Sequence, residues 1–143
     1  MEAGLPHVLL QGVERIECVN CDELSGVAIP RIEELHRLLA RVYLHVKRRL
    51  HGNEVRFLRK YLGWSGRQFA DHMSATPETI SRWESGDRQM SIAHQRLLLL
   101  YVANVEPVES YSVEDTENVL EEEGCEELTV PHINGHWPTE LAC

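Results

Sequence analysis

Two helix-start signals lie close together in the middle of the chain, and they constrain the fold more than any other feature. Ser65 is followed three residues later by Gln68, the arrangement of a capping box. Thr76 is a good N-cap residue, and Pro77 after it suits the first helical position. The spacing predicts two short helices with a turn at residues 74–75 between them.

The apolar residues of this stretch predict how the two helices pack. Ala70 is small enough to stand where two helices cross closely. Ile80 and Trp83 are three residues apart and therefore share the inward face of the second helix, which Gly86 ends. The remaining face of that helix is polar and short, and its residues are Thr76, Glu78, Thr79, Ser81 and Arg82. We expect this polar edge to be exposed.

Three further helices are predicted around this pair. Pro30 opens the first, whose apolar residues recur at spacings of three and four until Gly52 stops it: Ile32, Leu35, Leu38, Leu39, Val42, Val46 and Leu50. Asn53 is the expected cap of the next helix, which Gly63 closes, and Ser91 is the expected cap of the last. The chain is thus predicted to be mainly α, with five helices within residues 30–104.

Charge is distributed unevenly along the 143 residues, although the net charge is −9. Residues 31–101 carry thirteen basic and seven acidic side chains, a balance of +6, while residues 1–30 and 102–143 carry −4 and −11. Phosphate binding responds to local potential, so the basic middle is the relevant region. A solvated basic face with no partner is the alternative reading of the same numbers.

The run from Ser65 to Gly86 resembles the Cro/C1-repressor (XRE) class of helix-turn-helix domains, most specifically from Thr76 onward. With its flanking helices the resemblance covers about residues 53–102. It implies a five-helix, lambda-repressor-like domain whose second motif helix, residues 77–85, enters the major groove of double-stranded DNA. The chain departs from the family in the turn, where Ser74 stands in place of the usual glycine.

The resemblance also assigns roles to individual side chains. The expected base contacts are Thr76, Glu78, Thr79 and Arg82, with Arg82 matched to guanine by its two-pronged donor geometry. Glu78 has two open readings, as an acceptor from cytosine or as a charge that serves the helix dipole. The expected phosphate contacts are Ser65, Arg67, Gln68, Ser81, Arg88 and Gln89. Arg56, Arg59 and Lys60 are expected to be solvated.

The order of parts is similar to the MqsA family of bacterial antitoxins, in which a small zinc-binding domain precedes an XRE-like domain. Gly4 to Leu10, the Cys18-x-x-Cys21 pair and Glu33 to His36 carry this looser likeness. It implies that residues 1–29 resemble half of a zinc-ribbon-like unit, with Cys18 and Cys21 as metal ligands. Tetrahedral zinc needs four ligands, so either two more are supplied from elsewhere or these are two ordinary thiols.

The two ends of the chain have weaker patterns. Alternating apolar residues between 5 and 16 predict a hairpin or strand pair around Gln11 and Gly12. Residues 105–143 are acidic and interrupted by Pro131, Gly135 and Pro138, which predicts an extended or flexible tail that the fold does not need. No apolar run is long enough for a membrane span.

The functional expectation is a sequence-specific DNA-binding transcriptional regulator, a repressor, acting as a homodimer on a palindromic operator. The alternative is an antitoxin of a type II pair that neutralises a toxin by direct contact and represses its own operon. No arrangement typical of an enzyme is present in the sequence, so none is expected. Four cysteines in no disulfide framework favour the bacterial cytoplasm, and no cofactor beyond zinc is expected.

Overall fold

The computed structural model describes residues 5–17, 24–105, 127–138 and 141. Within these ranges the fold is mainly helical with five helices, as the sequence predicts, and four short strands accompany them. The helices are α1 (Ile32–Leu44), α2 (Gly52–Tyr61), α3 (Gly66–Met73), α4 (Pro77–Ser85) and α5 (Ile92–Val105). The strands are β1 (Val8–Gln11), β2 (Glu14–Glu17), β3 (Leu24–Ala28) and β4 (Leu128–Pro131). No helix in the described ranges has both the length and the apolar character needed to cross a lipid bilayer.

Helix α1 is shorter than its apolar stripe predicts. It begins at Ile32, after Arg31 in a left-handed conformation (φ 50°), and it ends at Leu44. Its buried face includes Leu35, Leu39 and Val42, which pack into the common core. The prediction of a helix continuing to Leu50 is wrong because the next residues are drawn into a separate polar network.

That network fixes the loop between α1 and α2. Arg48 donates to both carboxylate oxygens of Glu54, at 2.9 and 2.7 Å, and both side chains are buried. The buried amide of Gln95, on α5, accepts from the Leu50 backbone N–H and donates to the Arg48 carbonyl, each at 2.9 Å. The buried side chains of Arg48, Glu54 and Gln95 thereby have partners, which offsets the cost of removing them from water.

The start of α2 also differs from the prediction. His51, not Asn53, is the N-cap residue, and Gly52 is the first helical residue. Glu54 accepts from the His51 backbone N–H at 2.8 Å, so the same carboxylate that binds Arg48 closes the helix start. A carboxylate at this position also interacts favourably with the helix dipole. Gly63 follows the end of α2 with φ 74°, as predicted.

The strands form two separate pairs. β1 pairs with β4 in parallel, with Val8 opposite Leu128 and Leu10 opposite Val130. β2 pairs with β3 in antiparallel fashion, with a register shift between Ile16 and Glu17. The predicted hairpin around Gln11 and Gly12 is therefore wrong. Two strands do flank that position, but each pairs with a different part of the chain.

The C-terminal segment is part of the folded body, which corrects the prediction of a dispensable tail over 105–143. Residues 127–138 are ordered, and Leu128, Val130 and Trp137 are buried in the core. The Trp137 indole donates to the Pro30 carbonyl at 2.7 Å. Sequence reasoning weighted acidity and proline and missed that alternate residues of β4 are apolar. Residues 106–126 lie outside the described ranges.

Candidate nucleic-acid interface

Helix α3 begins with the reciprocal cap that its sequence predicts. The Gln68 backbone N–H donates to Ser65 Oγ at 3.2 Å, and the Ser65 N–H donates to Gln68 Oε1 at 2.9 Å. Two N–H groups that the helix start leaves unpaired are satisfied in this way. The cap fixes where α3 begins, and with it the direction in which the exposed Arg67 leaves the helix.

A short turn joins α3 to α4. Ser74 adopts a left-handed conformation, with φ 51° and ψ 42°, at the position where the resembled family has glycine. The Ala75 N–H donates to the Ala70 carbonyl at 2.9 Å, which closes the end of α3. A non-glycine residue in this conformation costs about 1 kcal/mol. The turn therefore forms with serine, at a small cost in stability.

Helix α4 is capped at both ends as predicted. Thr76 Oγ1 accepts from the Thr79 N–H at 3.2 Å and lies 3.0 Å from the Thr79 hydroxyl. Pro77 is the first helical residue, and Gly86 ends the helix with φ 85°. The two threonine hydroxyls thus contact each other at the helix start, and one of them also serves as the cap.

One face of α4 is apolar and buried, and the opposite face is polar and exposed. Ile80 and Trp83 are buried, and the Trp83 ring meets Phe69 of α3 edge to face at 6.3 Å between ring centroids. Glu78, Ser81 and Arg82 lie on the opposite side and are exposed. Among the described residues, none forms a hydrogen bond or ion pair with the Arg82 guanidinium.

The predicted contact residues are not all equally accessible. Thr76 is exposed, whereas Thr79 is half-buried. The predicted phosphate contacts lie at the start of α3, on α4 and just after α4, and all are exposed: Ser65, Arg67, Gln68, Ser81, Arg88 and Gln89. The Ser65 and Gln68 side chains each already accept a hydrogen bond from the other residue's backbone N–H. Each side chain therefore has fewer hydrogen-bonding positions available for a phosphate.

Glu84 anchors α4 to α2 and was missed from the sequence. Its buried carboxylate accepts from Arg59 Nε at 2.5 Å and from Arg56 Nε at 3.1 Å. Arg59 also donates to the Trp64 carbonyl at 2.9 Å, which joins the segment before α3 to the same group. The expectation that Arg59 is solvated is wrong, and Arg56 also pairs, although it is half-exposed.

The sequence does contain a signal that the Glu84 side chain is buried and paired. Counting along the helix from Ile80 and Trp83, position 84 falls on the inward face, where an acid needs a cationic partner. Two arginines on α2, Arg56 and Arg59, supply that partner. The inward acid of α4 and the basic residues of α2 therefore form one ionic group.

His94 is a second residue that sequence reasoning did not place at this site. Its Nε2 donates to the Met73 carbonyl at 3.1 Å, and its Nδ1 lies 2.7 Å from the hydroxyl of Ser91, the cap of α5. The ring also packs on Trp83, with 4.9 Å between ring centroids. One imidazole therefore connects the end of α3, the inner face of α4 and the start of α5. Its three-residue spacing from Ser91 places the two on one helix face, but nothing in the sequence indicates the contacts with Met73 and Trp83.

The candidate metal ligands Cys18 and Cys21 lie outside the described residues. Within the ranges that the structure does describe, no group of three or more histidine, cysteine, aspartate or glutamate side chains is close enough to hold a metal ion. The zinc expectation therefore stays a prediction.

Comparison with known proteins gives no relative from which a role for these residues could be transferred. No protein-family model, no curated protein and no solved structure matches the chain.

Proposed function

We propose that this chain is a sequence-specific double-stranded-DNA-binding transcriptional regulator, a repressor, in which α3 and α4 act as a helix-turn-helix of the lambda-repressor type. Helix α4 enters the major groove. Nine residues at about 1.5 Å each make it about 13 Å long, and an α-helix with its side chains, about 10–12 Å across, fits a groove about 12 Å wide.

The observation that carries the proposal is the two-sided character of α4. Arg82 and Glu78 are exposed and lie one turn apart on one face, while Ile80 and Trp83 hold the opposite face in the core. Glu84 and His94 add fixed contacts to α2, α3 and α5. A rigidly supported helix with a free polar edge is what direct readout of base edges requires.

Roles within the interface follow from position. Arg82 reads guanine through two parallel hydrogen bonds, and Thr76, Thr79 and Glu78 contact neighbouring bases. The exposed side chains at the start of α3 and after α4, including Arg67 and Arg88, bind phosphates on either side of the groove. Phosphate contacts set the position of the domain and carry no sequence information of their own.

We propose that the chain acts as a homodimer, and the exposed apolar residues of α5 support this part of the proposal. Apart from the exposed Ile32, the apolar residues of α1 are buried in the protein's own core. Helix α5 instead has apolar residues all round, and Leu97, Leu100 and Val105 are exposed. A second copy packed on this surface would bury them and place two α4 helices on two half-sites of a palindrome.

The test compares two exposed arginines to which the proposal assigns different roles, Arg82 as a base contact and Arg88 as a phosphate contact. Arg82→Ala should weaken binding to the preferred sequence by about 1–3 kcal/mol and leave binding to unrelated DNA nearly unchanged. Arg88→Ala should weaken both by the same factor and reduce the salt dependence. Fluorescence anisotropy with both DNAs at two salt concentrations measures this. Equal losses on both DNAs for Arg82→Ala would contradict base readout by α4.

A further inference from the structure

Two histidines from distant parts of the sequence lie side by side at the surface, outside the proposed DNA interface. His7 comes just before β1, and His51 is the N-cap residue of α2. Both side chains are exposed, and their ring centroids are 5.0 Å apart with the ring planes tilted by 36°. We call these two residues the histidine pair. Imidazole is the commonest metal ligand among protein side chains, so the pair is a candidate for holding a metal ion.

Backbone hydrogen bonds hold both residues of the pair in place. The His7 carbonyl accepts from the Leu128 N–H at 2.7 Å, where β4 begins beside β1. The His51 N–H donates to Glu54 Oε2 at 2.8 Å, and the His51 carbonyl accepts from the Glu54 and Val55 N–H groups at 3.0 Å. Because both backbone positions are fixed before any ion arrives, binding has only the two side chains left to order.

The separation of the two rings matches that of two imidazoles bound to one ion. Metal–nitrogen bonds of about 2.0–2.1 Å, meeting at about 90–110°, place the two ring centroids about 4.5–5.3 Å apart. The centroid distance of 5.0 Å in the histidine pair falls within that range. The stacked rings of Trp64 and His72 are closer and flatter, at 4.0 Å and 20°. Rotation about the soft bond between Cβ and each ring then aims one nitrogen of each imidazole at a shared point.

The ligand set of the pair defines the class of ion that it suits. Imidazole nitrogens favour divalent transition metals such as Zn²⁺, Cu²⁺ and Ni²⁺, whereas Mg²⁺ and Ca²⁺ prefer oxygen ligands. Two imidazoles are half of a tetrahedral set, and no third ligating side chain joins them within the described ranges. Solvent, to which both rings are exposed, supplies the remaining ligands. Such an open site binds its ion less tightly than a closed site of four side chains.

We propose that His7 and His51 together bind a divalent transition-metal ion such as Zn²⁺, which links the segment before β1 to the start of α2. Gly52, next to His51, packs on the end of α4, since a Cβ there would lie 2.6 Å from the carbonyl oxygens of Trp83 and Glu84. The ion therefore joins the N-terminal strand to the point where α2 supports α4, and it stabilises that arrangement by mass action. The proposal does not depend on DNA binding, because it concerns a different surface.

The test follows the histidine ring resonances of the full chain by ¹H–¹⁵N NMR during titration with Zn²⁺. We expect the His7 and His51 rings to respond with one common midpoint, at least about tenfold below that of the exposed His72 ring, because the second imidazole of a pair binds intramolecularly. Mg²⁺ should shift neither ring of the pair. The readout is resolved by residue, so zinc bound by Cys18 or Cys21 does not count as binding to the pair. This comparison needs no variant, so it holds even if a substitution prevents folding.

Variants distinguish one shared ion from two rings that bind independently. His7→Gln should weaken Zn²⁺ binding at the His51 ring about tenfold, and His51→Gln should do the same at His7. The control His72→Gln, which removes an exposed imidazole from α3, should leave binding at both rings unchanged. A midpoint at His51 that His7→Gln does not move would overturn the proposal, as would equal midpoints for His7, His51 and His72 in the unaltered chain. None of these results bears on whether α4 reads DNA.

Discussion

Replacing Glu84 by glutamine tests whether the proposed recognition helix is anchored as the structure indicates. The substitution keeps the size of the side chain and removes its charge, which leaves Arg59 without its ionic partner. The side chains of Glu84 and Arg59 are only 8% and 15% exposed. Breaking a buried ion pair costs about 3–5 kcal/mol, and because some water reaches Arg59 we expect about 3 kcal/mol.

The matched control removes the other partner of the same carboxylate. The Arg56 side chain is 49% exposed, so Arg56→Gln should cost no more than about 1 kcal/mol. Urea unfolding followed by tryptophan fluorescence measures both. At a slope near 2 kcal/mol per molar, Glu84→Gln should lower the midpoint by roughly 1.5 M and Arg56→Gln by less than about 0.5 M. Equal shifts for the two variants would refute the idea that the buried Arg59–Glu84 pair holds α4 in place.

Two further predictions concern packing. Trp137→Ala should cost about 3–5 kcal/mol because it empties a core position, and an unchanged melting temperature would show that the C-terminal segment is dispensable after all. Gly52→Ala should cost about 1–3 kcal/mol, since a Cβ there would lie 2.6 Å from the carbonyl oxygens of Trp83 and Glu84. Gly66→Ala is its control: a Cβ there meets nothing within 4 Å, so thermal unfolding should show a neutral or slightly stabilising effect, and equal losses for both glycines would contradict this packing.

The central helices could be predicted well because their signals are local. The Ser65–Gln68 box, the Thr76 cap and the Gly86 stop each involve residues within one turn of a helix end, and each forms as predicted. The inward positions Ile80 and Trp83 followed from helical periodicity alone. Local chemistry of this kind is independent of the rest of the chain, so a single sequence is enough to read it.

The errors occurred where distant residues decide the structure. Helix α1 ends early because Arg48 pairs with Glu54 and Gln95 reaches across from α5. Residues 127–138 are ordered because β4 pairs with β1, more than one hundred residues away in sequence. Neither partner is visible in a local window, and the acidic surroundings of β4 pointed the other way. The candidate interface was less affected, because its exposed side chains belong to the locally determined helices.

Selection of bound duplexes from a random DNA pool tests the central claim most directly. If α4 reads bases as part of a symmetric dimer, the selected sequences should converge on a palindrome. Its half-sites should be centred about 34–36 Å apart and contain a guanine that is no longer selected with Arg82→Ala. A pool that stays random after several rounds, or a consensus that Arg82→Ala leaves unchanged, would contradict the claim.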